Sequence, residues 1–238
     1  MPFQVVEVQR LYQQVADQIG GLIRSGEFRA GDRLPPEREL ARKLGVSRPV
    51  VREAMIALEI AGFVEVRGGA GTFVQSARPA ANHTLAALPD PGPSPFDLIT
   101  ARQMLEGEIA FTAAGNVTDE DLRGLAEAID LMRADIAAGR DSRPSDRVFH
   151  LRVAAVTRNA VLTNLVDGLW AHMLDPMFDV LGHHTGLRGR DDMTVDDHEL
   201  IVQALARRDA TAAREAMRAH LAHVEHILLR EDMEEVGS

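Results

Sequence analysis

The chain has no cysteine among its 238 residues, which excludes disulfides, thiolate metal sites and thiol nucleophiles. Aromatic residues make up only 4% of it, so a core must come mainly from Ala, Leu and Val, a mixture that favours helices. No apolar run approaches the roughly 20 residues a membrane-spanning helix needs. The opening "MPFQVVEVQR" also lacks the charged-then-apolar order of a signal peptide. A cytoplasmic protein with no membrane partner is therefore expected. Lysine is scarce as well: Lys43 stands alone, and the other basic residues are all Arg.

What is present is unevenly distributed. The net charge is −10, but residues 1–78 carry 11 Arg and Lys against 9 Asp and Glu, a net of +2. The remainder carries 15 against 27, a net of −12. An acidic body repels nucleic acid, so any DNA contact must come from the first third. The stretch "QSARPAANHTLAALPDPGPSPFDL" (75–98) holds five prolines and little periodic pattern, and reads as a linker. The predicted organisation is an N-terminal domain over 1–76, a linker over 77–95, an all-helical domain over 96–232 and a tail over 233–238.

In the first third, Leu11, Val15, Ile19, Leu22 and Ile23 recur at helical spacing. "PPERELARKLG" is a short second helix, opened by prolines and acids and stopped by Gly45. "VSRPVVREAMIALEIAG" is a third, with Ser47 as N-cap, Pro49 in the first turn and Gly62 at the end. Two alternating strands around "GGAG" follow as a hairpin. Two short helices joined by "LGVS" form a helix-turn-helix pattern, with Ser47, Arg48 and Arg52 at the end of the recognition helix that enters a major groove. Arg suits a two-pronged grip on guanine or a phosphate. The stretch "LPPERELARKLGVSRPVVREAMIALEIAGFVEVRGGAGTFV" resembles the winged helix-turn-helix of the GntR family of bacterial transcription regulators. The resemblance implies operator double-stranded DNA as a partner and contacts from Arg38, Ser47, Arg48, Arg52 and the wing glycine Gly69.

The acidic remainder reads as helices over roughly 96–114, 119–138, 144–157, 160–182, 194–207 and 210–231, a bundle of six to seven helices; Thr118 is the expected N-cap of the second. The fold class expected overall is mainly α: a winged helix-turn-helix followed by an all-α effector-binding bundle. Nine histidines without cysteine invite a search for a His and carboxylate metal site. "DRVFH" puts Asp146 and His150 on one helix face. "VDDHELIVQALARRDATAAREAMRAHLAHVEHIL" reads as a helical hairpin turning at Arg208-Asp209-Ala210, in which His198 and His220 lie equally far from the turn and can face each other. Three imidazoles and one carboxylate suit a divalent transition metal, Zn²⁺ first, with Ni²⁺ or Mn²⁺ as alternatives.

Three His plus water is also a catalytic zinc arrangement. With no "HExxH" and no nucleophile elbow, beside a DNA reader, sensing is the expected use and not enzymatic turnover. The segments "ARQMLEGEIAFTAA", "DRVFHLRVAAVTRN" and "DDHELIVQALARRD…MRAHL" are similar to the FCD-type effector domain, found in regulators like the fatty-acid-response repressor of the family. That resemblance implies the same four ligands, Asp146, His150, His198 and His220, and a contact from Arg102 to the carboxylate of a small organic acid. The alternative for Arg102 is a surface pair with Glu106. "LWAHMLDPMFDVLGHH" and "DDMTVDDHELI" look like the branch regulating hexuronate use, which implies a sugar-acid effector and adds His184 to its contacts. Another carboxylate (amino acid, dicarboxylate or fatty acyl) is the alternative effector. The resemblance taken whole implies a homodimeric repressor that its effector releases from DNA.

Overall fold

The structure, a computed structural model, describes residues 9–67, 70–75, 90–187 and 191–229. Gly69, most of the expected linker and the tail lie outside the described residues. The chain divides into two compact units at Pro93.

The first unit opens with α1 (Leu11–Ser25), whose Val15, Ala16, Ile19 and Ile23 are buried where the helical spacing put them. α1 packs on α3 (Arg48–Ile60), and α2 (Glu37–Leu44) packs on α3 as well. Gly45 closes α2 at φ +69, a left-handed conformation that side chains with a Cβ adopt at a cost. This turn lets α3 leave at an angle to α2. Ser47 has the extended backbone of an N-cap, but its hydroxyl makes no capping hydrogen bond. Val51, Ala54, Met55 and Leu58 form the buried side of α3. β1 (Val64–Arg67) and β2 (Gly71–Val74) pair antiparallel in the register Val64↔Val74 to Arg67↔Gly71. The segment before α2 adds a third edge that the sequence pattern did not announce. Leu34 N–H donates to Thr72 O at 2.9 Å, and Val74 N–H donates to Asp32 O at 2.9 Å.

The second unit is helical throughout its described residues: α4 (Pro95–Asn116), α5 (Asp119–Ala137), α6 (Arg143–Val156), α7 (Ala160–Ala171), α8 (Pro176–His184), α9 (Asp191–Ala206) and α10 (Ala210–Leu229). α10 lies along α4 and α9, while α5 and α6 close the other side. Thr118 caps α5 as expected, accepting from Asp121 N–H at 3.2 Å while Thr118 N–H donates to Asp121 at 2.9 Å.

The single helix expected over 160–182 is wrong. α7 ends at Ala171, a short 3₁₀ turn covers His172–Leu174, and α8 starts afresh at Pro176. Pro176 has no N–H to continue a helix, and it forces Asp175 into an extended conformation (φ −67, ψ 149). The break carries Met173 and Phe178 into the centre of the unit, where both are buried.

Candidate functional site

α6 carries Asp146 and His150 one turn apart, and α9 and α10 bring His198 and His220 against them. Arg208, at φ +53, turns α9 back into α10, and the two rings face each other at 4.3 Å between centroids. One ligand atom from each of the four residues lies within 4.8 Å of the others. His150, His198 and His220 are 1%, 0% and 2% exposed.

The contacts inside this group conflict in a way that a cation resolves. Asp146 Oδ1 is 3.0 Å from His198 Nε2 and 3.3 Å from His150 Nε2, and those two nitrogens are 3.4 Å apart. Despite this crowding, Asp146 Oδ1 accepts no hydrogen bond of acceptable direction. His150 spends its Nδ1–H on Glu106, so a neutral His150 turns an Nε2 lone pair toward a carboxylate oxygen. Either a proton or a metal ion must sit among these atoms. Burial alone would depress His150, but the Glu106 carboxylate and Asp146 outweigh it and raise its pKa. Burial alone would raise Asp146, yet contacts from His150 and His198 hold it well below the usual carboxylate range. Burial, reinforced by His198, pushes His220 down to about 4, so it is a neutral donor at neutral pH. An orphaned carboxylate oxygen, converging imidazoles and a nitrogen-rich donor set fit a divalent transition metal.

Behind His150 lies a second layer. Glu106 joins His150 Nδ1 through one oxygen and accepts from Arg102 Nε at 2.6 Å through the other. Burial would raise Glu106, but Arg102 and His150 overcome it and hold its carboxyl at about 2. The Arg102 guanidinium lies 4.3 Å from the Trp170 ring centroid, and its Nη2 is buried with no hydrogen-bond partner. The pair with Glu106, weighed from sequence as a surface feature, is real but lies in the interior. Its Arg is not satisfied by it. On the other flank Asp197 accepts from His223 Nδ1 at 3.0 Å and lies 3.6 Å from His220 Nδ1.

Asp146, His220 and Arg102 open onto one cavity of about 340 Å³. Its walls include the apolar Met132, Met173, Phe178 and Val195 and the charged Arg143 and Asp179. Arg143 Nη1 donates to Asp179 at 3.0 Å, and its Nη2 reaches Asp141. His184, expected to contact the effector, is half-buried at the end of α8 and is not among the described residues lining this cavity.

In the first unit, Arg38, Ser47 and Arg48 are exposed around the start of α3. Arg52 is not. It is 8% exposed, and Glu37 accepts from both its Nε (3.1 Å) and its Nη2 (2.9 Å), tying α3 to α2. Arg48 Nη2 lies 3.9 Å from the same carboxylate.

Residues 11–74 match the family described as bacterial regulatory proteins, gntR family, and residues 97–223 match the FCD domain. The chain belongs to the gntR family. It is a DNA-binding transcription regulator and not an enzyme. The Exu regulon transcriptional regulator of Escherichia coli K12 is 39% identical over 232 residues, covering 96% of this chain and 88% of that protein. The Uxu operon transcriptional regulator of the same strain is 40% identical over 228 residues, covering 93% and 88%. Among solved structures, Lar, which controls expression of the Listeria monocytogenes agr system, superposes at a TM-score of 0.50 with 18% identity, covering 94% of this chain and 98% of that one. That last likeness is one of fold alone. No helix among the described residues is long and apolar enough to cross a membrane.

Sequence reasoning on this gntR regulator missed Trp170, Asp197 and the charged residues that line the cavity. An Arg and a Glu four apart inside an apolar helix was the available signal for the buried pair. Nothing in the sequence marked Arg143 or Asp179, which meet only because the break at Pro176 redirects α8.

Proposed function

We propose that this regulator binds operator DNA as a homodimer in the cytoplasm and that a hexuronate, held in the helical unit by a divalent metal and Arg102, releases it. The observation that carries this reading is the convergence of four ligand atoms, two of them from Asp146 and His220, which line a cavity also lined by Arg102 with its buried, unpartnered Nη2. Charge supports the order of assembly. With neutral imidazoles, Arg102, Glu106 and Asp146 leave the innermost groups at one net negative charge. A divalent cation reverses that sign, and a carboxylate then restores neutrality in a region of low dielectric. When bound, the metal supplies a Lewis-acid anchor for ligand oxygens.

The chain's own residues account for the rest. Arg102 offers a carboxylate its unpartnered Nη2 and an Nη1 held only by the Met173 sulfur, an arrangement that suits two-pronged pairing. Arg143, Asp141 and Asp179, which also line the cavity, offer donors and acceptors to hydroxyl groups, which favours a sugar acid over an acyl chain. A cavity of about 340 Å³ also favours a small ligand. The relatives named for the Exu regulon and the Uxu operon agree with the resemblance to the hexuronate branch. In the reader, the exposed Arg38, Ser47 and Arg48 are proposed to meet the operator with the wing at Gly69, while Arg52 braces α3 through Glu37. Two copies would read a palindrome, because protein two-fold symmetry is mirrored in the site.

The test is a thermal-shift screen of metal-loaded protein against D-glucuronate, D-galacturonate, dicarboxylates and fatty acids. A shift with hexuronates, joined to loss of the operator gel-shift at the same concentrations, is expected. Elemental analysis without metal in any preparation, or a shift only with acyl chains, would sink the reading.

A further inference from the structure

We infer that Glu106 is a positioning residue that links metal binding to ligand binding, fixing His150 with one carboxylate oxygen and competing for Arg102 with the other. The inference rests on the proposed metal and sugar-acid site. Three buried groups and a half-buried one form an unbroken chain from the ligand cavity to the metal position: Arg102, Glu106, His150 and, across the ligand cluster, the half-buried Asp146. Each of the first three is at most 2% exposed, so no water screens one from the next.

The geometry gives the coupling a direction. His150 donates Nδ1–H to Glu106, which fixes its tautomer and turns Nε2 toward the ligand cluster. The more negative charge Glu106 retains, the better a donor that nitrogen becomes. Arg102 draws on the same carboxylate through Nε at 2.6 Å, while Nη1 has only the Met173 sulfur at 3.6 Å and Nη2 has no partner. An anion arriving on the Nη edge shares the guanidinium charge and relieves Glu106 of part of it. Ligand binding thereby strengthens the hold of His150 on the metal, and by reciprocity the metal strengthens the ligand. Glu106 touches neither partner; it acts through Arg102 and His150.

Glu106→Gln tests this because the effects on the two sites have opposite signs. The amide keeps the shape but removes the charge. Chelator-stripped full-length protein would be titrated with Zn²⁺ against a chromophoric competitor. Zinc affinity in E106Q should fall by about 10–100-fold, the usual consequence of losing such a supporting group. In the same metal-free variant, D-galacturonate binding read by ligand NMR at millimolar concentration should hold or tighten, since Arg102 has lost its competitor. The tightening of zinc by D-galacturonate expected in the wild type should shrink.

Equal zinc affinity in E106Q and wild type overturns the inference. So does a loss of zinc and galacturonate together, which is what a distorted pocket would give. Should E106Q fail to fold, Glu106→Asp keeps the charge but draws it back from both partners, and a folded E106D with unchanged zinc affinity overturns the inference equally. Wild-type protein that takes up no zinc removes the metal reading itself, a result distinct from wild type and E106Q binding it alike.

Discussion

Both units contain a Glu that grips an Arg, and the two pairs do opposite work. In the reader, Glu37 engages Arg52 with both oxygens near the surface, a fork-to-fork pairing that ties α2 to α3. In the helical body, Glu106 spends only one oxygen on Arg102 and leaves Nη2 buried without a partner. An unsatisfied buried donor costs about 1–3 kcal/mol, a penalty a fold tolerates where a ligand will remove it. Arg52 thus has the environment of a brace, and Arg102 keeps a donor to spare beside a cavity. The same contrast applies to the histidines. His172 has an aspartate at 2.7 Å on the surface, whereas the buried trio crowds around an oxygen with no aligned donor.

The largest effect is expected from His198→Ala. The variant should lose the bound metal, with about one ion per chain falling to none by elemental analysis, and lose sugar-acid stabilisation with it. Operator binding should survive, no longer relieved by ligand. Retained metal would break the assignment of the body as the sensing half. Arg48→Ala is the reciprocal cut. It should weaken operator binding by about 1–3 kcal/mol for each base edge that Arg48 no longer grips, roughly 5–150-fold in a gel-shift. Ligand binding should be unchanged. Undiminished DNA affinity would remove Arg48 from the interface.

Arg52→Met sharpens the distinction between brace and reader. If Arg52 only braces, the cost is stability: Glu37 is left half-buried without its fork, and melting should drop by about 1–3 kcal/mol. Operator affinity measured well below the melting range should change much less than in Arg48→Ala. An equal loss of affinity without loss of stability would return Arg52 to the base-reading set that the sequence pattern suggested.

The sequence made these contrasts only partly legible. The helix-turn-helix was readable because each boundary has a local cause: prolines before α2, Gly45 at its end, Pro49 in the first turn of α3. The quartet was readable because helical geometry fixes both offsets, four residues within α6 and equal distances about Asp209 in the turn between α9 and α10. What stayed hidden is set by packing between distant segments. The burial of Arg102 has Trp170 and Met173 beside it; Trp170 comes from α7, and Met173 from a break in the chain that apolar periodicity alone did not reveal. The engagement of Arg52 was hidden for a related reason: its spacing from Arg48 is legible, but the Glu37 that takes it up lies on another helix.

The smallest expected effect lies at the start of α5, whose cap is expected to serve the stability of the body alone. Thr118 and Asp121 cap each other, and Arg158 Nη2 adds a contact to Asp121 at 2.7 Å. Burial would raise the Asp121 carboxyl, but the Thr118 hydroxyl and Arg158 prevail and lower its pKa below the ordinary 3.8. The folded state therefore favours the ionised form. The stabilisation is complete above the unfolded carboxyl's ordinary value and is lost as the pH falls through the lower folded value. Thr118→Ala should cost about 1 kcal/mol at neutral pH, read as a shift in urea midpoint. It should also bring the Asp121 titration, followed by NMR, back toward the ordinary value, while zinc and operator binding stay as in the wild type. A change in zinc affinity in this variant would mean that the helix end and the metal quartet are not independent, and that α5 belongs with the sensor.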